Sequence, residues 1–188
     1  MKNTLLKADA WLWRMDIVLM SIAGLCVLVT MGVTFADVFM RYALDAPLAW
    51  SYDLVTQYLL IGSFFFAFSY ALRTNENIVV DFFSRHLSTP LYCLLMCIGH
   101  AVTFVIFAYI TWLTAMDTYL SWENDEAFFG ALVWPSWSAK IIVPIGAAAL
   151  AIRLLHRSLA YGAGIRDEAF LKALNLEHHS EPVIEEQL

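Results

Sequence analysis

The sequence is poor in charge: only 15% of its 188 residues are Asp, Glu, Lys or Arg, and those few gather in short clusters between long apolar runs. That scarcity leaves no room for a separate soluble domain of useful size. With a formal net charge of -6 and no basic stripe, the chain lacks the phosphate-neutralising surface that nucleic-acid binding needs. Cysteine is scarce and odd in number. Cys26, Cys93 and Cys97 all fall within apolar runs, which argues against a disulfide framework and says nothing of redox compartment. There is no glycine-flanked serine elbow, no zinc-protease helix motif and no phosphate-cradling loop. No internal repeat or low-complexity tract is present either, and the expectation is a protein that is not an enzyme and holds no cofactor.

What the chain has in abundance is hydrophobic length. Its hydrophobic content is 61% and its mean hydropathy +0.66, against an apolar share of about one half in ordinary soluble domains. The expected fold class is all-α: a polytopic membrane protein of four transmembrane helices plus short interfacial amphipathic helices, with both termini cytoplasmic. The spans are expected over about 17–40, 52–72, 91–116 and 137–157, each long enough for a helix to cross a hydrocarbon core. Residues 1–15 place Leu5, Ala8, Trp11, Leu12 and Met15 on one side at helical spacing, which suggests an interfacial helix, the other reading being a plain extension of the first span. A second interfacial helix is expected over about 77–88, where Asp81 and Arg85 are four residues apart and able to pair. The membrane domain then covers 16–160, and 161–188 form a cytoplasmic tail. The first apolar run exceeds a signal-peptide core and lacks a small-residue cleavage site, so it reads as a retained helix.

Orientation follows from the basic residues. With the N-terminus inside, Lys2, Lys7, Arg14, Arg73, Arg85, Arg153, Arg157, Arg166 and Lys172 lie inside and only Arg41 and Lys140 outside. Between the first two spans, Pro47 disfavours helix at Ala46 and breaks the chain. Trp50 is then expected at headgroup depth, and Asp53 in the first turn of the next helix, facing the positive end of its dipole. Asp37, Arg41 and Asp53 are therefore candidates for a polar cluster that locks helices or docks a partner. The plainer reading is a well-made membrane hairpin. Asp117–Phe129, with four acidic residues and no basic one, reads as a solvated loop that could meet a basic patch on a partner. Pro144 should kink the fourth span or leave one carbonyl free.

A transporter or pump usually holds an ionisable group deep in the bilayer, and here only His100 reads as deep, with Asp37, Asp53, Asp117 and Lys140 near the outer ends of their spans and Arg73, Arg153 and His156 near the inner ends. Cys93 and Cys97 share its helix face, which suggests either a metal site or small residues packed at a helix interface. Two rivals are a self-sufficient four-helix homodimeric exporter, which wants an acid in the middle of its first span, and a haem-binding membrane redox subunit. The latter needs facing histidines at one depth, whereas His156 lies near the inner end and His100 well above it.

Several residues fall in a familiar order: Arg41-Tyr42 after the first span, Pro47-Leu48, Trp50-Ser51, Asp53, Gly62, Arg73, the segment Ile78 to Asp81, and Pro144-Ile145-Gly146. In this order, over about residues 16–158, the chain resembles the small membrane subunit (DctQ-type) of tripartite ATP-independent periplasmic (TRAP) transporters. It departs where that family often has two adjacent acids, since Tyr52 precedes Asp53, and where Asn77 replaces a common histidine. The resemblance implies a non-catalytic multi-pass subunit of a bacterial inner membrane, in contact with membrane lipid. Its implied partners are a large DctM-type membrane subunit on a separate chain and a periplasmic substrate-binding protein. It further implies sodium-coupled uptake of an organic acid such as a C4-dicarboxylate or a sialic acid, with sodium bound by the large subunit. Asp37, Arg41, Trp50, Asp53, Arg73 and Asp81 are the residues expected to make structural or partner contacts.

Overall fold

The computed structural model describes residues 2–74, 89–129, 133–165, 174 and 176. Helix α1 runs unbroken over Lys2–Ala43. Helix α2 spans Ser51–Arg73 and includes one π-helical stretch, Val55–Leu59. Helix α3 covers Thr89–Glu123 and leads into a small hairpin of β1, Ala127–Phe129, and β2, Val133–Pro135. A short α4, Ser136–Lys140, is followed by α5, Ile142–Gly164. Among the described residues, four helical segments are long and apolar enough to cross a membrane: Thr4–Ala43, Ser51–Arg73, Pro90–Glu123 and Ser136–Gly164.

Three boundaries differ from those expected, each for a physical reason. The interfacial helix placed at 1–15 is continuous with the first span, because no Pro or Gly interrupts the chain before Gly24 and the helical ladder simply continues. The third helix runs past Met116 to Glu123, since Asp117 and Ser121 find partners on the next helix. What had read as an open acidic loop is thus a helix end and a β-hairpin, in register Ala127 to Pro135 and Phe129 to Val133. The fourth helix continues beyond 157 to Gly164, because Arg153, His156 and Arg157 are buried against neighbouring helices and do not mark its watery end. The helix expected over 77–88 lies outside the described residues, as does most of the tail expected over 161–188.

Pro47 and Pro144 act as their chemistry demands. Helix α1 stops at Ala43, and Asp45 takes a left-handed backbone, φ 52°, in the turn ahead of Pro47. At the fourth span, Pro144 has no N–H for the carbonyl of Lys140, four residues earlier, and the helix is interrupted at Ile141.

The helices pack in the order α1, α2, α5, α3: α1 lies on α2, α2 and α3 both lie on α5, and α1 and α3 share no extensive contact. The fourth span is accordingly the central one, with half of its most apolar stretch buried, while the first and third are almost wholly exposed to the surroundings. Where α2 crosses α5, Gly146 sits so close to Phe65 that a Cβ there would lie 2.6 Å from the Phe65 Cβ and 3.0 Å from its backbone. Only glycine permits that approach.

Candidate functional site

The most unusual feature is a buried ionic network on the side of the molecule where α1 and α3 begin and α2 and α5 end. Asp16 on α1 is fully buried and Arg153 on α5 is 1% exposed. Arg153 bonds both acids of α1: its Nη1 donates to Asp9 Oδ1 at 2.7 Å, and its Nη2 donates to Asp16 Oδ2. Asp9 and Asp16 are seven residues apart, so two helical turns bring them to one face, about 10 Å apart along the axis. The remaining carboxylate oxygens are used by α2. Ser69 Oγ donates to Asp16 Oδ1 at 2.7 Å, and Arg73 Nη2 donates to Asp9 Oδ2 at 3.1 Å.

Aromatic and backbone contacts complete it. The Arg73 guanidinium lies 4.0 Å from the centre of the Trp13 ring, which itself stacks on Tyr70. Arg157 donates to the Arg73 carbonyl at 3.0 Å, and His156 Nε2 donates to the Leu5 carbonyl at 3.0 Å. Three helices are thereby joined by charge-assisted bonds in a region whose other side chains are apolar. Each such bond is stronger there than in water, and each lost partner costs more. Beside the network, Leu5, Cys93, Ala160, Tyr161, Leu174 and Leu176 form a buried apolar cluster.

Sequence reasoning named Arg73 as a candidate contact residue, and here it bonds Asp9; it took Arg153 and His156 for residues at a span end, and assigned no role to Asp9 or Asp16. It also held that almost no polar group lies within the spans; the buried Asp16, Ser69 and Arg153 correct that. The available signal was an arginine eleven residues inside an apolar helix, which by itself calls for a buried acid.

At the opposite end, Asp37 and Arg41 do come together. Arg41 Nη2 donates to Asp37 Oδ2 at 2.7 Å, and the backbone N–H of Leu48 donates to Asp37 Oδ1 at 2.9 Å. Asp37 therefore closes the α1–α2 turn. Asp53 does not join the pair: it stands in the first turn of α2, and among the described residues it makes no ion pair or side-chain hydrogen bond. Trp50 precedes that helix, its carbonyl accepting from the N–H of Leu54 at 3.2 Å. Asp81 lies outside the described residues.

A second polar group pins the hairpin end. Lys140 Nζ lies 3.0 Å from Asp117 Oδ2, 3.3 Å from Glu126 Oε2 and 2.7 Å from Ser121 Oγ, while Ser121 Oγ donates to Glu126 Oε2 at 2.7 Å. The Ser121 hydroxyl first, and then Lys140, hold the Glu126 carboxyl below its ordinary pKa. Tyr58 bonds Ser138 at 2.7 Å and packs against Trp134, tying α2 to the same corner.

His100 donates through Nδ1 to the Met96 carbonyl at 2.7 Å and lies against the Tyr161 ring, and Cys97 contacts Ser158. These are helix-packing contacts. Among the described residues no three His, Cys, Asp or Glu side chains converge as metal ligands.

Among the described residues, four membrane-length helices joined by internal ion pairs define a polytopic membrane protein. Residues 30–161 match the family model described as tripartite ATP-independent periplasmic transporters, DctQ component, and the chain belongs to that family. It is thus a component of a transporter, the small membrane subunit of a TRAP system. No curated protein and no solved structure gives a significant match.

Proposed function

We propose that this chain braces a DctM-type large subunit in a bacterial inner membrane during sodium-coupled uptake of an organic acid, such as a C4-dicarboxylate or a sialic acid, delivered by a periplasmic binding protein. The observation that carries this reading is the direction in which the buried charges face. Arg153, Asp9, Asp16 and Arg73 bond to one another across three helices, which fixes the relative placement of α1, α2 and α5. A unit tied together by its own ion pairs suits a part that holds still while another moves. Cargo transport would instead call for broken helices presenting free polar groups at mid-membrane.

On this reading Asp37 and Arg41 shape the turn, Asp53 and Trp50 remain free to meet a partner, and the acidic hairpin end faces the periplasm. Sodium binds the large subunit. The test is reconstitution into proteoliposomes of this chain alone, of the large subunit alone, and of both with the binding protein. Uptake is expected only from the complete set. Uptake by this chain alone overturns the proposal.

A further inference from the structure

Helix α1 has two unlike faces over residues 4–16. Leu5, Asp9, Leu12 and Asp16 turn inward, the leucines into apolar packing and the two acids onto Arg73 and Arg153. On the opposite face stand Lys7, Trp11 and Arg14, spaced four and three residues apart and so neighbours on one side of a helix. All three are exposed, Trp11 by 63%.

Among the described residues these two cations differ from the rest. Arg41, Arg73, Lys140 and Arg153 each pair with a carboxylate, and Arg157 bonds the Arg73 carbonyl. Lys7 and Arg14 make no ion pair and no side-chain hydrogen bond. The acids of this stretch, Asp9 and Asp16, direct their charge to the other face. The outward face is left with two positive charges and a large indole between them.

The same helix shows what that face meets. It continues unbroken, and the next residues along the face, Val18 and Leu25, are apolar and 57% and 59% exposed. One side of α1 thus passes from cations and indole to aliphatic side chains, which is the order of water, headgroup and hydrocarbon. The charge-free run begins at Ile17. At about 1.5 Å per residue, Arg14 and Trp11 lie roughly 5 and 9 Å beyond it at headgroup depth, and Lys7 lies further out, within a Debye length of the phosphates. A guanidinium offers paired donors to phosphate oxygens, and an indole N–H seeks an acceptor at the same depth. An acidic protein segment would match the charges, but it would not account for their running straight into an exposed aliphatic face.

We propose that Lys7, Trp11 and Arg14 form a binding site for the headgroup phosphate of an anionic phospholipid, in the leaflet on the N-terminal side of the membrane. The site depends on the chain's crossing a membrane and stands apart from the bracing role, because its readout is lipid contact and not transport.

The experiment uses the full chain, alone and with its large subunit, in bilayers of phosphatidylcholine and phosphatidylglycerol with one lipid brominated at a time. Bromine quenches nearby indoles, and the difference between wild type and Trp11→Phe isolates the Trp11 signal. Contact with phosphatidylglycerol is expected to exceed the mixing ratio by about tenfold, of which Arg14→Gln should remove about fivefold and Lys7→Gln about twofold. Raising the salt concentration should erode the wild-type preference, a check that needs no variant. Equal quenching by the two lipids, or a preference that survives both substitutions, would overturn the proposal. So would Trp11 quenching that is present in the isolated chain and absent from the complex, since a protein surface would then cover the face.

Discussion

The side chains of Arg153 and Asp16 are paired across 137 positions of sequence, and neither is more than 1% exposed. A pair so placed is expensive to form and more expensive to break, because removing one member strands the other's charge away from water. Its use is specificity: it fixes the rotation and depth of α1 relative to α5.

Asp16→Ala should therefore destabilise the chain by about 3–5 kcal/mol. Replacing both charges, as in Asp16→Leu with Arg153→Met, should recover part of that loss, since Asp9 keeps Arg73 as a partner. Thermal unfolding of the three variants in one detergent checks this; a double variant no better than the single would deny that stranded charge is the cause.

Gly146→Ala should cost about 1–3 kcal/mol through overpacking, because the new methyl group meets the Phe65 backbone, which cannot turn aside. Gly62→Ala is the matched comparison. Its Cβ would come no nearer than 3.5 Å to Cys26 Sγ, an ordinary contact, and the same unfolding measurement should find it nearly silent.

The hairpin end should loosen in acid. Glu126 has a folded pKa below its ordinary 4.5, so its contribution is fully present above that value and is lost as pH falls through the lower, folded value. Proteolytic nicking between Glu126 and Ser136 should rise below about pH 4.5, and Glu126→Gln should nick equally at all pH values tested. A wild-type hairpin indifferent to acid would contradict the Ser121 and Lys140 contacts.

Asp37→Ala and Asp53→Ala should separate fold from partner. Loss of Asp37 leaves the Leu48 N–H without its acceptor and should cost this chain about 1–3 kcal/mol. Asp53→Ala should cost the isolated chain no more than the helix-dipole contribution of about 0.3–1 kcal/mol and lower the yield of complex with the large subunit. Unchanged yield would remove Asp53 from the contact surface.

The spans were legible because hydrophobic length is a property of composition, and the turn at Pro47 because a proline dictates local backbone. The family order was legible too, since it rests on Arg41, Pro47, Asp53 and Pro144-Ile145-Gly146 as read along the chain. What escaped was pairing. Asp9 and Asp16 look like ordinary flanking charges until α5 brings Arg153 against them, and nothing local to either segment announces the other. For the same reason the acid run after Met116 read as loop: the Lys140 that holds Asp117 and Glu126 comes from beyond the hairpin. Asp37 and Asp53 looked equivalent at a span end, but only Asp37 meets a backbone donor once the turn closes.

Because α1 and α3 stand at opposite flanks of the packing order and scarcely touch, the protein resembles a panel more than a closed cylinder. A panel has two broad sides open to company at once. One neighbour can lean on the α1–α2 side and another on the α3–α5 side without either having to prise the helices apart, and among the described residues a push on one flank reaches the other mainly through α5 and the short α4 before it.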